Sequence, residues 1–208
     1  MKKITILFLN VIFVNLLFSN SFKLHLLFTN NIHGAIHEVP ARFINPEFSP
    51  ILAGGAGAFT YASKIRKEAK LKEDFVMLTD AGNIFQGSQL GTYDGGSNII
   101  KWMNWMAYDA IVPGVRDFDQ GVNNLSKLAS EANFPFLASN LEGVDGIEDY
   151  KIIDANGVRI GLIGLITPFI SEGLLPEYYE GVAVSDIKKT LNTQIENIRS
   201  DVDLIFVL

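Results

Sequence analysis

The sequence predicts a layered α/β fold with a largely parallel sheet. Short apolar runs typical of buried strands alternate along the chain with segments whose apolar residues recur at helical spacing. The strand-like runs do not alternate apolar with polar residues, which indicates strands that are covered on both faces. Alternation of strand and helix is characteristic of a parallel sheet with helices packed on it.

The predicted elements follow one another closely in the first two thirds of the chain. In chain order they are a strand at 23–29, a helix at 57–71, a strand at 75–78, a helix at 97–106, a strand at 110–112, a helix at 120–132 and a strand at 134–138. Trp102 and Trp105 lie on the second helix, and we expect both rings to pack against the sheet. Residues 34–56 form the longest irregular connection, and such connections are often functional.

The last third of the chain has a different pattern. Apolar runs at 151–154 and 158–165 flank an Asn-Gly pair at 156–157, which favours a two-residue turn between antiparallel strands. A helix is predicted at 186–200, with Asp186 near its start, where a carboxylate interacts favourably with the helix dipole.

The N-terminus has the pattern of a secretory signal peptide. Two lysines precede an apolar run at 4–18, and small residues at 19–21 supply a cleavage site. The run is shorter than the ~20 residues of a membrane-spanning helix, which argues against the alternative of a membrane anchor. We predict a signal peptide at 1–21, one domain at 22–208, a periplasmic or secreted location and no stable membrane insertion after cleavage.

Composition excludes several functional classes. The chain is 48% hydrophobic and 19% charged, values that are typical of a globular protein. Its net charge of −6 and the lack of a basic stripe argue against binding to a nucleic acid polymer. Because the sequence has no cysteine, disulfides, thiolate metal sites and a cysteine nucleophile are excluded.

Three short segments carry the chemistry, and each follows a predicted strand. Their sequences are T-N-N-I-H-G at 29–34, D-A-G-N-I-F-Q-G-S at 80–88 and G-V-R-D-F-D at 114–119. In open α/β sheets, ligands bind beyond the carboxyl ends of the strands. We therefore expect these segments to outline the functional site.

In order and spacing, the three segments resemble the motifs T-N-D-x-H-G, D-A-G-D-x-F-Q-G and G-N-H-[ED]-F-D of the bacterial 5′-nucleotidase and 2′,3′-cyclic phosphodiesterase family of calcineurin-like metallophosphoesterases. The resemblance continues through 134–140 and 157–168. It implies a metallophosphoesterase-type layered α/β sandwich, of which this chain is the first half. It also implies a hydrolase of nucleotide phosphate esters.

The resemblance further implies a set of site residues. In the family, two divalent ions (zinc, manganese or similar) bind at positions that here are Asn31, His33, Asn83 and Val115. The family's catalytic histidine and its aspartate partner fall on Arg116 and Asp119. The next family segment would follow Leu208 with a serine and a ligand histidine.

These substitutions oppose metal binding. Asn83 stands at the bridging carboxylate, and a neutral amide cannot bridge two dications as a carboxylate does. Asn31 removes a second negative charge, and hard cations need such anionic oxygens. Val115 supplies no donor atom. We expect weak or absent metal binding and a truncated, inactive relative of the hydrolases.

Other interpretations of the same residues stay open. His33 could be a loop histidine bonded to the backbone, and Arg116 could pair with Asp119. A second hypothesis is a secreted module that binds phosphate or a nucleotide through Arg116 and backbone N–H groups near Gly82 and Gly87. A third is a piece of a split or decaying gene with a complementing C-terminal half. Under each of these hypotheses, the apolar strand predicted at 204–208 would favour self-association.

Overall fold

The structure, a computed structural model, describes residues 23–208, so the predicted signal peptide lies outside the described residues. The strands in chain order are β1 (Leu24–Thr29), β2 (Val39–Pro40), β3 (Ile51–Leu52), β4 (Phe75–Asp80), β5 (Ala110–Ile111), β6 (Phe136–Leu137), β7 (Leu141–Glu142), β8 (Ile147–Glu148), β9 (Tyr150–Ala155), β10 (Val158–Ile163), β11 (Ala183–Val184) and β12 (Leu204–Val207). The α-helices are α1 (Gly54–Leu71), α2 (Gln89–Thr92), α3 (Ser97–Met106), α4 (Val122–Glu131) and α5 (Ile187–Ile198).

The larger sheet confirms the predicted parallel architecture. Its five strands lie in the order β1-β4-β5-β6-β8, and every neighbouring pair is parallel. β1 and β4 are in register over their full length, from Leu24 opposite Phe75 to Thr29 opposite Asp80. Thr29 and Asp80 therefore end their strands side by side, and this edge of the sheet positions the site.

The core lies between this sheet and the helices. On α3, Ile99, Ile100, Met103 and Met106 are at most 2% exposed. The spacing of three and four residues places them on one face of the helix, where each contributes about 1.5–3 kcal/mol through burial. Fully buried Phe118 and Phe136 join the same cluster. The bounds predicted for α3 from this periodicity are confirmed.

A smaller sheet in the order β12-β10-β9 contains the predicted hairpin. β9 and β10 are antiparallel, and Asn156 and Gly157 between them have φ of 56° and 90°. Positive φ at both residues is the signature of a type I′ turn, which suits the strand twist. β12 pairs in parallel with β10, and within residues 23–208 it lies at the edge of this sheet.

Two details of the prediction are wrong. Trp105 does not pack against the sheet: its side chain is 78% exposed, whereas Trp102 is half-buried. The reason is that the buried face of α3 is already filled by its isoleucines and methionines. The first helix begins at Gly54 rather than at 57, because the glycine-rich run that seemed to belong to the loop starts the helix.

Among the described residues, no helix is long and apolar enough to cross a membrane.

Candidate functional site

The first and second segments are joined by backbone hydrogen bonds at the carboxyl ends of β1 and β4. Asn31 N donates to Gly82 O at 2.9 Å, His33 N to Asn83 O at 2.9 Å, and Gly34 N to Ile84 O at 2.8 Å. The two loops thus continue side by side beyond the strands. The predicted meeting of these segments at one sheet edge is confirmed.

The third segment is fixed to the second by a buried carboxylate that sequence reasoning missed. Asp117 is fully buried, and its two oxygens accept from the backbone N–H groups of Asn83 (2.8 Å), Ile84 (2.7 Å) and Gly114 (2.8 Å). Burial raises the pKa of Asp117 to about 6, although the three backbone hydrogen bonds oppose the shift. The only sign of this role in the sequence is that an acidic residue stands inside the third segment.

Two site asparagines form a direct amide pair. Asn83 Nδ2 donates to Asn31 Oδ1 at 2.7 Å, and Asn83 Oδ1 accepts from Arg116 N at 2.9 Å. Both ends of the Asn83 amide are therefore occupied. Asn31 and Asn83 adopt positive φ, 51° and 60°, a region that asparagine tolerates better than most residues. The loop geometry thus suits the asparagines that stand here.

A second group of hydrogen-bonded polar side chains lies where β1 and β4 end, and it consists of Thr29, Asp80 and Tyr108. Thr29 Oγ1 donates to Asp80 Oδ2 at 2.6 Å and lies 2.8 Å from the Tyr108 hydroxyl. Asp80 is 1% exposed, and burial raises its pKa to about 7. Burial also raises the pKa of Tyr108. Asp80 and Tyr108 were not predicted as site residues.

Gly82 supplies one of the backbone N–H groups that the anion-binding hypothesis places near Gly82 and Gly87. Its backbone N–H donates to Asp80 Oδ1 at 2.6 Å, so this group is already satisfied. Gly82 has φ of 93°, and a side chain there would overlap the backbone of Gly114. The glycine is needed for the close approach of the second and third segments.

His33 and Arg116 make the local contacts that their simpler interpretations predicted. His33 Nδ1 lies 2.8 Å from Gln86 O, within hydrogen-bond distance. Arg116 Nη1 lies 3.6 Å from Asp119 Oδ2, with the arginine side chain 52% and the aspartate side chain 10% exposed. This separation is that of an ion pair without a well-formed hydrogen bond. The guanidinium therefore retains donors for another partner.

The residues at the four positions where the resemblance predicts metal ligands do not fit a pair of divalent ions. The Asn31 and Asn83 amide oxygens accept hydrogen bonds within the pair and from Arg116, and Val115 packs its side chain against the core. Only His33 Nε2 remains as a typical donor atom. Within residues 23–208, no group of three or more His, Cys, Asp or Glu side chains is placed to hold a metal ion.

No protein-family model matches the chain. It is 32% identical over 158 residues to the snake venom 5′-nucleotidase of Crotalus adamanteus, an alignment that covers 72% of this chain and 26% of the relative. It is 28% identical over 183 residues to the 5′-nucleotidase of Vibrio cholerae, which covers 86% of this chain and 32% of the relative. The chain thus spans about a quarter to a third of the length of these curated relatives.

Solved structures share the fold. The 5′-nucleotidase precursor of Thermus thermophilus superposes with a TM-score of 0.75 at 24% identity, over 89% of this chain and 36% of that one. The calcineurin-like phosphoesterase YfkN of Bacillus subtilis superposes with a TM-score of 0.67 at 26% identity, over 88% of this chain and 60% of that one. These superpositions confirm the predicted fold class.

Proposed function

Because this chain belongs with the 5′-nucleotidases of the calcineurin-like phosphoesterase fold, over the N-terminal part of their length, we propose that it keeps the scaffold of a nucleotide phosphoesterase without a competent two-metal centre. The observation that carries this proposal is the hydrogen bond between the amides of Asn83 and Asn31. A bridging carboxylate would have to stand where this neutral pair now lies.

The charge of the ligand positions supports this proposal. Two dications about 3.5–4 Å apart repel strongly unless anionic ligands surround them. Asn31 and Asn83 together contribute no charge, and Val115 contributes no donor. The donor set at these positions is one imidazole nitrogen and two neutral amide oxygens that already accept hydrogen bonds, which is too little to hold two ions. The chain by itself is therefore expected to be inactive as a hydrolase.

The test is metal binding and turnover by the purified chain. Calorimetry with Mn²⁺ or Zn²⁺ should show weak or no binding, and hydrolysis of a chromogenic phosphodiester should equal the rate without protein. The 5′-nucleotidase of Vibrio cholerae serves as the positive control in the same assay. Binding of two ions per chain, together with turnover that a chelator abolishes, would contradict the proposal.

A second candidate function is anion binding without metal, and the exposure of Arg116 favours it. The Arg116 side chain is 52% exposed, its backbone N–H donates to the Asn83 amide, and neither Asn83 nor Asn31 carries a negative charge that would repel a phosphate. The fork geometry of arginine matches phosphate oxygens. Asp119 competes for the same donors, so we expect a dissociation constant of ~1 mM or weaker, about −4 kcal/mol.

Calorimetry with phosphate and AMP tests this second function. Arg116→Ala should abolish the binding of phosphate, whereas Arg199→Ala, which removes an exposed arginine at the end of α5 and far in the sequence from all three segments, should leave it intact. Equal binding by the wild type and by Arg116→Ala would exclude the anion site.

A third possibility is that the chain works with a complementing C-terminal half. Co-expression with such a half tests this possibility, and recovery of hydrolysis would support it.

A further inference from the structure

The turn that joins β9 to β10 presents an Asn-Gly pair to solvent. Asn156 and Gly157 are both exposed, and they are the one Asn-Gly pair of the sequence. A β-carbon built on Gly157 would meet no atom within 4 Å, so open space lies on that side of the turn. Water therefore reaches both the side-chain amide and the peptide bond that follows it, at a place outside the three site segments.

An asparagine that precedes glycine is chemically labile. The backbone nitrogen of the next residue can attack the side-chain Cγ and close a five-membered ring, and glycine has no side chain that hinders the approach. In this turn the Gly157 N–H donates to Asp154 Oδ1 at 2.7 Å. The attacking nitrogen thus has a carboxylate within hydrogen-bond distance, and this carboxylate can accept its proton as the new bond forms.

The amide of Asn156 links the hairpin to a distant part of the chain. Its Nδ2 donates to Glu73 O at 2.8 Å, a contact between residues 83 positions apart. Glu73 lies in the turn between α1 and β4. A single exposed hydrogen bond thus fastens the turn of the smaller sheet to the connection that leads into the larger sheet. Because Nδ2 carries all the donors of this side chain, a reaction that removes it also removes the link.

We propose that Asn156 is a site of spontaneous deamidation, a covalent modification that releases the β9–β10 turn from Glu73. The Gly157 nitrogen attacks Asn156 Cγ, so an N–Cγ bond forms while the Cγ–Nδ2 bond breaks. The proton of the Gly157 N–H passes by way of Asp154 to the departing amide nitrogen, which leaves as ammonia. Water, the one co-reactant, then opens the resulting succinimide ring at either of its carbonyls and gives aspartate or isoaspartate.

Both products weaken the hairpin. A carboxylate at position 156 has no N–H to offer Glu73 O, and it adds a negative charge two residues from Asp154. Isoaspartate also adds a methylene to the backbone between Ala155 and Val158, which face each other as the last pair of the β9–β10 ladder. A two-residue turn that depends on two positive φ values cannot keep its geometry with this longer backbone.

Peptide mapping by mass spectrometry tests the modification on the whole chain. After incubation of the folded protein in mildly alkaline buffer, the peptide that contains residue 156 should carry the mass shift of amide loss, and an isoaspartate-specific methyltransferase should label it. Asn45 and Asn133 are internal controls that should keep their amides. Both are exposed, but Asn45 precedes proline, which has no N–H, and Asn133 precedes a bulky phenylalanine.

Variants separate the chemistry from its consequence. Asn156→Gln should abolish the mass shift, because attack on the longer side chain needs a six-membered ring, and Asp154→Asn should slow it, because an amide is a far weaker base. Asn156→Asp supplies one product directly, and it should speed hydrogen exchange of the β9–β10 amides and lower the midpoint of thermal unfolding. Asn45→Asp, the matched control for the added charge, should behave like the wild type, because an aspartate there can still accept from Glu47 N and Phe48 N.

The outcomes are independent of the proposed function, because none of them depends on metal or phosphate binding. Amide loss at Asn156 that Asp154→Asn slows supports the proposal. The proposal is overturned if Asn156 keeps its amide throughout, or if Asn133 loses its amide at the same rate. It is equally overturned if Asn156→Asp exchanges and unfolds like the wild type, because deamidation then releases nothing. An unchanged rate in Asp154→Asn would overturn the role given to the Asp154 carboxylate.

Discussion

Asn83 Nδ2 donates to Asn31 Oδ1 across 2.7 Å, so the side chains at two positions where the resemblance predicts metal ligands are bonded to each other. Two ionised carboxylates at this distance would repel each other unless a proton or a metal ion lay between them. The amides replace metal-mediated attraction by a neutral hydrogen bond. The substitutions at the two positions are therefore mutually consistent, since they stabilise the loops without an ion.

Restoring both carboxylates should destabilise the chain when no metal is present. In Asn83→Asp, the Asn31 amide can rotate and donate instead, so the loss should be small. In the double variant Asn31→Asp/Asn83→Asp, the two charges repel, and the coupling energy should be about 1–3 kcal/mol unfavourable. Urea unfolding of the four proteins measures the cycle. Additive losses would show that the two side chains do not interact.

Removing Asp117 should be among the most damaging changes at the site. Asp117→Ala leaves three backbone N–H groups without their acceptor, and two of these groups lie in the second segment. Each unsatisfied buried donor costs about 1–3 kcal/mol, so a loss of roughly 3 kcal/mol or more is expected in urea unfolding. Asp117→Asn, which keeps one acceptor oxygen, should lose less. Asp145→Ala, at an exposed acid, is the control and should change little.

Much of this arrangement could be predicted from sequence, and the limits have physical causes. The three segments converge because parallel strands bring their carboxyl ends to one edge, and the Asn156-Gly157 turn follows from positive φ preferences. The role of Asp117 could not be predicted, since an acid in a loop is usually solvated. The hydrogen bond from the Gly82 N–H to the Asp80 side chain could not be predicted either, because it depends on tertiary geometry.

Stability should fall as the pH rises from about 4 to about 7. Burial raises the pKa of Asp80 to about 7 and that of Asp117 to about 6 from the ordinary 3.8, so the folded chain binds protons that the unfolded chain has already released. The stabilisation is complete below pH ~4 and is lost as each folded pKa is passed, by up to ~1.4 kcal/mol per pH unit and group. The Thr29 hydroxyl can donate a hydrogen bond to ionised Asp80 or accept one from the protonated form.

Thermal unfolding across this range tests the linkage. Asp80→Asn should flatten the curve between pH 6 and 7, the part that belongs to Asp80 alone, and should reduce the slope between pH 4 and 6 to the share that Asp117 contributes. Glu142→Gln, at an exposed acid, serves as the control and should follow the wild type. A wild-type midpoint that rises steadily from pH 4 to 7 would contradict the assigned directions.

Export should remove the N-terminal segment. The two lysines, the short apolar run and the small residues at 19–21 predict cleavage near Ser21. Mass spectrometry of the exported protein should give an N-terminus near Phe22. A change of the small residues at 19–21 to leucines should slow processing. Recovery of the intact N-terminus from a membrane fraction would mean that the segment is an anchor.

The edge that β12 forms within the described residues should make the chain self-associate. Within the described residues β12 pairs only with β10, and Leu204 and Val207 on it are 46% and 48% exposed. An apolar strand with an unpaired edge offers both hydrogen bonds and apolar surface to a second chain. Light scattering should show a mass that rises with concentration. Val207→Lys should reduce the association, because a charged lysine on an edge strand opposes strand pairing, whereas Leu71→Lys, at an 81% exposed leucine on α1, should not. A mass that stays monomeric at every concentration would show that this edge does not recruit a second chain.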